Sequence, residues 1–421
     1  MTNLILKNAY VIDPLIDFEG KKDIFTSKGK IVESPKKDSQ EIDLQGKIIC
    51  PGFIDMHVHL REPGQEEKET IYSGSKAALR GGFTSICCMP NTTPPIDNVS
   101  SIEYILKKAQ KNMLVNIFPI ACITKDRRGT ELVEMANIFR AGAIAFSDDG
   151  SWVANSNIMR RAIEYSQMFS SMIISHCEDP FLSKDGVINE SYLATKLGLK
   201  PSPSAAENVA VARDIYLAKE YGHVHIAHIS TKESVALIRY AKKQGIPVTA
   251  ETAPHYFSLT EEAVSSYNTS AKVNPPLRTA KDVQAIIKGL QDNTIDVIAT
   301  DHAPHTYDDK NIEFDKAAFG ISGLETAFAV GFTYLVKTKK ITLTQLITKM
   351  AFRPMQILKL STKGSLQPGY DADITVLDIK KTLTVDPSNF ISLGKNTPFT
   401  GHKLQGTIDK TIVGGKILYE K

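Results

Sequence analysis

Between residues 51 and 363 the chain alternates short apolar runs with helix-like stretches, and that alternation restricts its fold more than any other feature. Strand-like runs read at Phe53–His59, Thr84–Met89, Val115–Ala121, Ala143–Ser147, Met172–His176, Val224–His228, Val248–Glu251 and Val297–Thr300. Between them lie helical stretches such as Ile102–Lys111, Ile158–Ser170, Ala206–Tyr221, Ser234–Gln244 and Lys281–Gln291. Eight strands, each followed by a helix or loop, predict an α/β fold of the (β/α)8 TIM-barrel type.

Both ends of the chain have a different texture. Leu4-Ile5-Leu6, Tyr10-Val11-Ile12 and Lys30-Ile31-Val32 are short strands between turns; Ile374-Thr375-Val376-Leu377 and the Gly414-Gly415 hairpin repeat the pattern at the far end. The expectation is one small discontinuous β-sandwich domain, residues 1–50 with 364–421, around a barrel of residues 51–363. A chain of 421 residues with 42% hydrophobic and 23% charged side chains has ample material for such a core.

Charge and composition exclude other classes. A net charge of +3 without a long basic block is not the footprint of a nucleic-acid binder. The start, Met1-Thr2-Asn3-Leu4-Ile5-Leu6-Lys7, is not that of a signal peptide, and no apolar run approaches the ~18 residues of a membrane span. Five cysteines, two of them adjacent (Cys87, Cys88) and none spaced Cys-x-x-Cys, argue against a disulfide framework and for a reducing cytoplasm.

In a barrel, functional groups gather at the C-terminal ends of strands. The densest such cluster is Asp55-Met-His57-Val-His59-Leu60-Arg61-Glu62-Pro63-Gly64. Within a strand, His57 and His59 share a face one pleat apart, so both imidazoles can reach one cation. A bare His-x-His is more often a pair of core histidines, but further candidates sit at other strand ends. His176, His228, Asp301 and the pair Asp148-Asp149 all follow apolar runs. His228 precedes Ser230-Thr231-Lys232-Glu233, which has the spacing of a helix capping box. His223 and His225 alternate to the opposite face and read as structural or surface histidines. Imidazole with carboxylate suits Zn2+. A carboxylate can bridge two cations where one imidazole nitrogen cannot, so Asp148 or Asp149 is the candidate bridge. Excess positive charge there would lower the pKa of a bound water towards neutrality.

These residues stand within longer signatures: His57-Val-His59-Leu-Arg61-Glu-Pro-Gly, Cys88-Met89-Pro90-Asn91-Thr92-Thr93-Pro94, Lys272-Val273-Asn274-Pro275-Pro276-Leu277-Arg278, Asp301-His302-Ala303-Pro304-His305 and Phe319-Gly320-Ile321-Ser322-Gly323. Over essentially its whole length the chain resembles the dihydroorotases of the amidohydrolase superfamily. The resemblance implies zinc-dependent, reversible cyclisation of N-carbamoyl-L-aspartate to dihydroorotate in pyrimidine biosynthesis. It implies a first Zn2+ on His57, His59, Asp149 and Asp301, and a second on Asp149, His176 and His228. Asp301 would also transfer the proton. His59, Leu60, Arg61, Asn91, Asn274, His305, Phe319 and Gly320 would contact substrate; a guanidinium fork with amide donors suits its carboxylates. Ser147-Asp148-Asp149 stands where many superfamily members carry a carboxylated lysine, which resembles the bacterial group bridged by aspartate. Tyr256 replaces a histidine frequent in relatives, leaving His255 a supporting role.

Two rival readings are a hydantoinase or allantoinase, which has no use for the Arg61 and Asn91 receptor, and a non-catalytic dihydroorotase-like subunit, expected to have lost metal ligands. A small-molecule substrate and a homodimer are expected, and a complex with aspartate transcarbamoylase is possible on the family pattern. The connection His302–Phe319 lacks an amphipathic period and is expected to be an unstructured lid that substrate orders over the metals.

Overall fold

A computed structural model describes residues 3–421; Met1 and Thr2, which belong to the N-terminal start considered above, lie outside the described residues. Eight parallel strands run in sequence order around one sheet: Phe53–Val58, Phe83–Cys88, Asn116–Ala121, Ala145–Phe146, Ile173–Ser175, Val224–Ile226, Val248–Thr252 and Val297–Ile298. The sheet closes just past the last strand. His59 N donates to His302 O at 2.8 Å, and Val58 pairs with His302 in a parallel bridge. Asp55 reinforces the seam from inside, accepting from both His57 N and Thr300 N at 3.1 Å.

Local chemistry sets the helix starts. Thr70 and Ser73 form a reciprocal cap for Ile71–Arg80, and Asn98 caps Val99–Asn112 through Ser101 N. The helix after His228 begins one residue later than its sequence spacing suggests. Thr231, not Ser230, accepts from Ser234 N, because Ser230 and the Thr231 amide are taken by the buried carboxylate of Glu207. Ser204–Tyr221, Lys232–Lys243 and Ala280–Gln291 then pack side by side on the outside of the sheet.

The terminal segments build two further sheets. One has four strands from residues 3–43; the other has six and joins both ends of the chain, with Ile48–Pro51 antiparallel to Ile374–Leu377. Leu4, Leu6, Ile49, Ile374, Val376 and Ile412 form their shared apolar core. All five cysteines are buried thiols, and no helix of the described residues is long and apolar enough to cross a membrane.

The connection after Asp301 has structure that its lack of an amphipathic period did not announce. Thr306 and Asp309 cap a short helix, Tyr307–Lys310, and Phe314 and Ala317 are buried beneath the segment. Asn396 clamps its two ends, donating to Ala303 O at 3.1 Å and Gly320 O at 2.9 Å and accepting from His305 N at 2.9 Å. The polar composition concealed these contacts because they are made to backbone amide and carbonyl groups, which leave no trace in a hydrophobic period.

Candidate metal and substrate site

Six side chains converge at the C-terminal mouth of the barrel. His57 lies in the first strand, with His59 just past it; Asp149, His176, His228 and Asp301 follow the fourth, fifth, sixth and eighth strands. His228 and Asp301 have φ of 31° and 47°, in the left-handed region that costs a non-glycine residue about 1–3 kcal/mol. Backbone strain thus falls on two residues that turn into the mouth.

Asp149 is the centre of the cluster. Its Oδ1 lies 3.2 Å from His57 Nε2, 3.6 Å from His176 Nδ1 and 3.7 Å from His228 Nε2, and its Oδ2 lies 3.5 Å from His59 Nε2. Asp301 reaches one side only: its Oδ1 is 3.1 Å from His59 Nε2 and 3.5 Å from His57 Nε2. Two triads of potential ligands result, His57–His59–Asp149 and Asp149–His176–His228, sharing Asp149. Asp148 points the other way. It accepts from Ile123 N at 2.8 Å, Thr124 N at 3.0 Å and the Thr124 hydroxyl, anchoring the loop after the third strand.

The donor set fits a cation. His57 Nε2 and Asp149 Oδ1 are buried and face each other at ion-pair distance, yet neither has a hydrogen-bond partner among the described residues. Buried polar atoms are normally partnered. Burial opposes charge on both groups. Even so, Asp149, Asp301 and Glu251 together push the His57 imidazole well above its ordinary range, and the histidines hold the Asp149 carboxyl well below its own. A divalent cation binds such a set by displacing protons from its imidazoles.

Around this set stands a layer that sequence reasoning missed. Glu251, wholly buried at the end of the seventh strand, bonds His57 Nδ1 at 2.6 Å and His225 Nε2 at 3.2 Å. His225 is therefore a buried structural histidine and not a surface one; its Nδ1 continues to the Thr249 hydroxyl at 2.8 Å. Glu178 bonds His176 Nε2 at 3.2 Å and accepts from Asn274 Nδ2 at 2.7 Å. A buried carboxylate in an apolar strand is a weak sequence signal, but Glu251 carried it. A proton on Nδ1 shared with Glu251 would leave the Nε2 lone pair of a neutral His57 for a cation. Glu251→Gln should weaken metal binding by about 10–100-fold, measured by equilibrium dialysis with a competing chelator; unchanged affinity would leave Glu251 a core carboxylate only.

A cavity of about 200 Å³ opens above the cluster, and His59, Arg61, Asn91, Asn274, Phe319 and Gly320 line it. Gly320 has φ of 145°, and a Cβ there would sit 2.5 Å from Ala303 O, so only glycine lets the wall approach so closely. Asn91 joins the two sets, bonding His59 Nδ1 at 2.8 Å and Asp149 Oδ2 at 3.2 Å. Two expected contacts stand apart from the cavity. The Leu60 side chain is buried and fills the space a Cβ on Gly74 would need. His305 lies behind Arg61: its Nε2 is 3.1 Å from Arg61 Nη2, and Arg61 Nε donates to Pro304 O at 3.2 Å. His255 is buried with Nε2 unpartnered, and burial holds it down to about 4.

The dihydro-orotase-like family profile matches residues 46–234, and an amidohydrolase family profile matches residues 299–419. A dihydroorotase of Syntrophus aciditrophicus is 52% identical over 99% of both chains, and one of Pelotomaculum thermopropionicum is 51% identical over 99% of this chain and 98% of its own. Among solved structures, the L-hydantoinase (dihydropyrimidinase) of Arthrobacter aurescens superposes with a TM-score of 0.89 at 27% identity, covering 100% of this chain and 97% of its own. A dihydropyrimidinase of Brevibacillus agri gives 0.86 at 20% identity over 100% and 95%, a likeness of fold.

Proposed function

The chain belongs to the dihydroorotase family, and on that premise we propose that it interconverts N-carbamoyl-L-aspartate and dihydroorotate at the barrel mouth, where His57, His59, Asp301, His176 and His228, with Asp149 shared between the two sets, would hold Zn2+. The observation that carries the metal assignment is the single carboxylate facing both histidine pairs. The rival cyclic-imide readings have less support: the hydantoinase-type neighbours share the fold at 20–27% identity, whereas the relatives near 50% are dihydroorotases. A non-catalytic subunit would not need a full ligand set.

When bound, divalent cations lower the pKa of water and polarise a carbonyl. The chain's own residues do the rest. Arg61, propped from behind by Pro304 O and His305, presents its guanidinium to a substrate carboxylate, with Asn91 and Asn274 as further polar groups. Asp301 takes the proton of the attacking water and passes it to the leaving amide nitrogen. Burial would raise its carboxyl, but His57 and His59 hold it below the ordinary range, so it starts as a base at neutral pH. Ring closure must begin with Asp301 protonated, so closure should gain as pH falls and ring opening as pH rises.

Purified protein should contain two zinc ions per chain by elemental analysis and remove dihydroorotate absorbance; inert protein with full metal would overturn the reading. Arg61→Lys tests the carboxylate receptor. Lysine keeps charge but loses the planar fork, so dihydroorotate should lose kcat/KM by at least about tenfold more than neutral cyclic imides. Equal losses would make Arg61 a scaffold residue. The proposal extends to a cytoplasmic homodimer, the commonest symmetric assembly, and to association with aspartate transcarbamoylase. Light scattering with and without that enzyme tests both.

A further inference from the structure

Lys272 and Lys310 are buried beside the cavity, and neither has a carboxylate partner among the described residues. Lys272 is 2% exposed; its Nζ donates to Phe314 O at 2.8 Å and Asp315 O at 3.0 Å and lies 4.4 Å from the centre of the Phe319 ring. Lys310, 7% exposed, donates to Ala318 O and to Lys272 O, the latter at 3.2 Å. Lys272 O also accepts from Gly320 N at 3.0 Å. One residue thus ties Phe319 and Gly320 on one cavity wall to Val273 and Asn274 on the next.

Buried ammonium groups are almost always paired with an opposite charge. Here two lie close together, each satisfied by carbonyls alone, and Arg61 adds a third buried cation whose protein partners are a carbonyl and His305. Among nearby acids, Asp309 is engaged with Lys68 and its helix cap and Glu178 with His176, and the exposed Asp315 carboxylate acts on Lys272 without forming an ion pair. Burial draws Lys272 down to about 8. Burial and then the charge of Lys272 draw Lys310 down to about 7. Such an arrangement is costly in isolation and is relieved when an anion enters.

We propose that Lys272 and Lys310 are specificity-determining residues: a pair of buried positive charges behind the Phe319–Gly320 wall that favours a carboxylate-bearing ligand over a neutral one without touching it. The inference rests on the carboxylate substrate proposed above. Below pH 7 both ammoniums carry their charge, and burial reduces the screening of each by solvent. The carbonyl clamp and the charge are separate contributions, and substitutions can divide them.

The test uses calorimetry at pH 6 on the metal-loaded protein with two probes that share one ring and differ in charge, orotate and its neutral methyl ester. Lys310→Gln keeps an N–H donor for Ala318 O and removes the charge; Lys310→Arg keeps the charge. Orotate binding should weaken about tenfold in Lys310→Gln, the order expected for one unit charge lost near a carboxylate. Ester binding should change less than about twofold, and Lys310→Arg should restore orotate binding. Lys272→Gln should behave like Lys310→Gln. Equal losses for both probes, no loss for either, or a Gln variant that cannot fold or hold metal would overturn the proposal, reducing the lysines to loop clamps. Dihydroorotate turnover by the wild-type protein is measured separately, so failure of the assigned reaction is distinguishable from failure of this inference.

Discussion

Replacing Asp301 with asparagine is expected to lower turnover by about 10²–10⁴-fold while leaving most of the metal bound, the range for losing a general acid–base group. The geometry explains why the two effects separate. Asp301 approaches His57 and His59 from one side of the cluster, 3.5 and 3.1 Å away, and takes no part in the His176–His228 triad. An amide can hold that place and still offer an oxygen, but it cannot take up and return a proton. Burst and steady-state rates in both directions, with elemental analysis of the same preparation, check the result. A variant retaining more than about a tenth of wild-type turnover would remove Asp301 from proton transfer.

Asp149→Ala should be equally severe by a different route. Its carboxylate is the one group near all four imidazoles. Without it, bound metal should fall to at most one ion per chain; Asp301 would still face His57 and His59, but His176 and His228 would face each other with no carboxylate between them. His176 and His228, whose facing nitrogens are 2.8 Å apart, should lose their metal first. The matched control is Asp148→Ala, which should keep its metal but lower thermal stability. Three donors from Ile123 and Thr124 would lose their acceptor, and each buried donor left unpaired costs about 1–3 kcal/mol. Two metals per chain in the Asp149 variant would overturn the shared-ligand assignment.

The contrast between these adjacent aspartates shows where sequence reasoning stops. Asp148 and Asp149 follow the same strand and have the same chemistry, and their spacing leaves either free to face the mouth. Only the turn after Phe146, pinned by Thr124, directs one outward and the other inward. Leu60 teaches the same lesson in reverse: it lies between two site residues, yet its side chain serves the barrel wall through Gly74. The connection after Asp301 read as an unstructured lid because it lacks an amphipathic period and carries candidate site residues at both ends. Its order comes from Lys272, Lys310 and Asn396, and the two lysines and the asparagine stand far apart in sequence from much of what they hold.

Periodicity alone carried the architecture. Alternating strand and helix patterns between two β-rich ends define the parallel barrel and the terminal sheets, because burial of apolar faces is a local, repeating demand on sequence. Ligand types at strand ends were equally visible, since a barrel delivers those positions to one face whatever the details. What required three dimensions was every relation between charges: which carboxylate meets both histidine pairs, that Glu251 holds His57, that Arg61 leans on His305, and that two lysines are buried without an acid. Hydrogen bonds and Coulomb interactions are decided within a few ångströms by groups far apart in the chain, such as Asp55 and Thr300, 245 residues apart, and no pattern along one strand or helix records them.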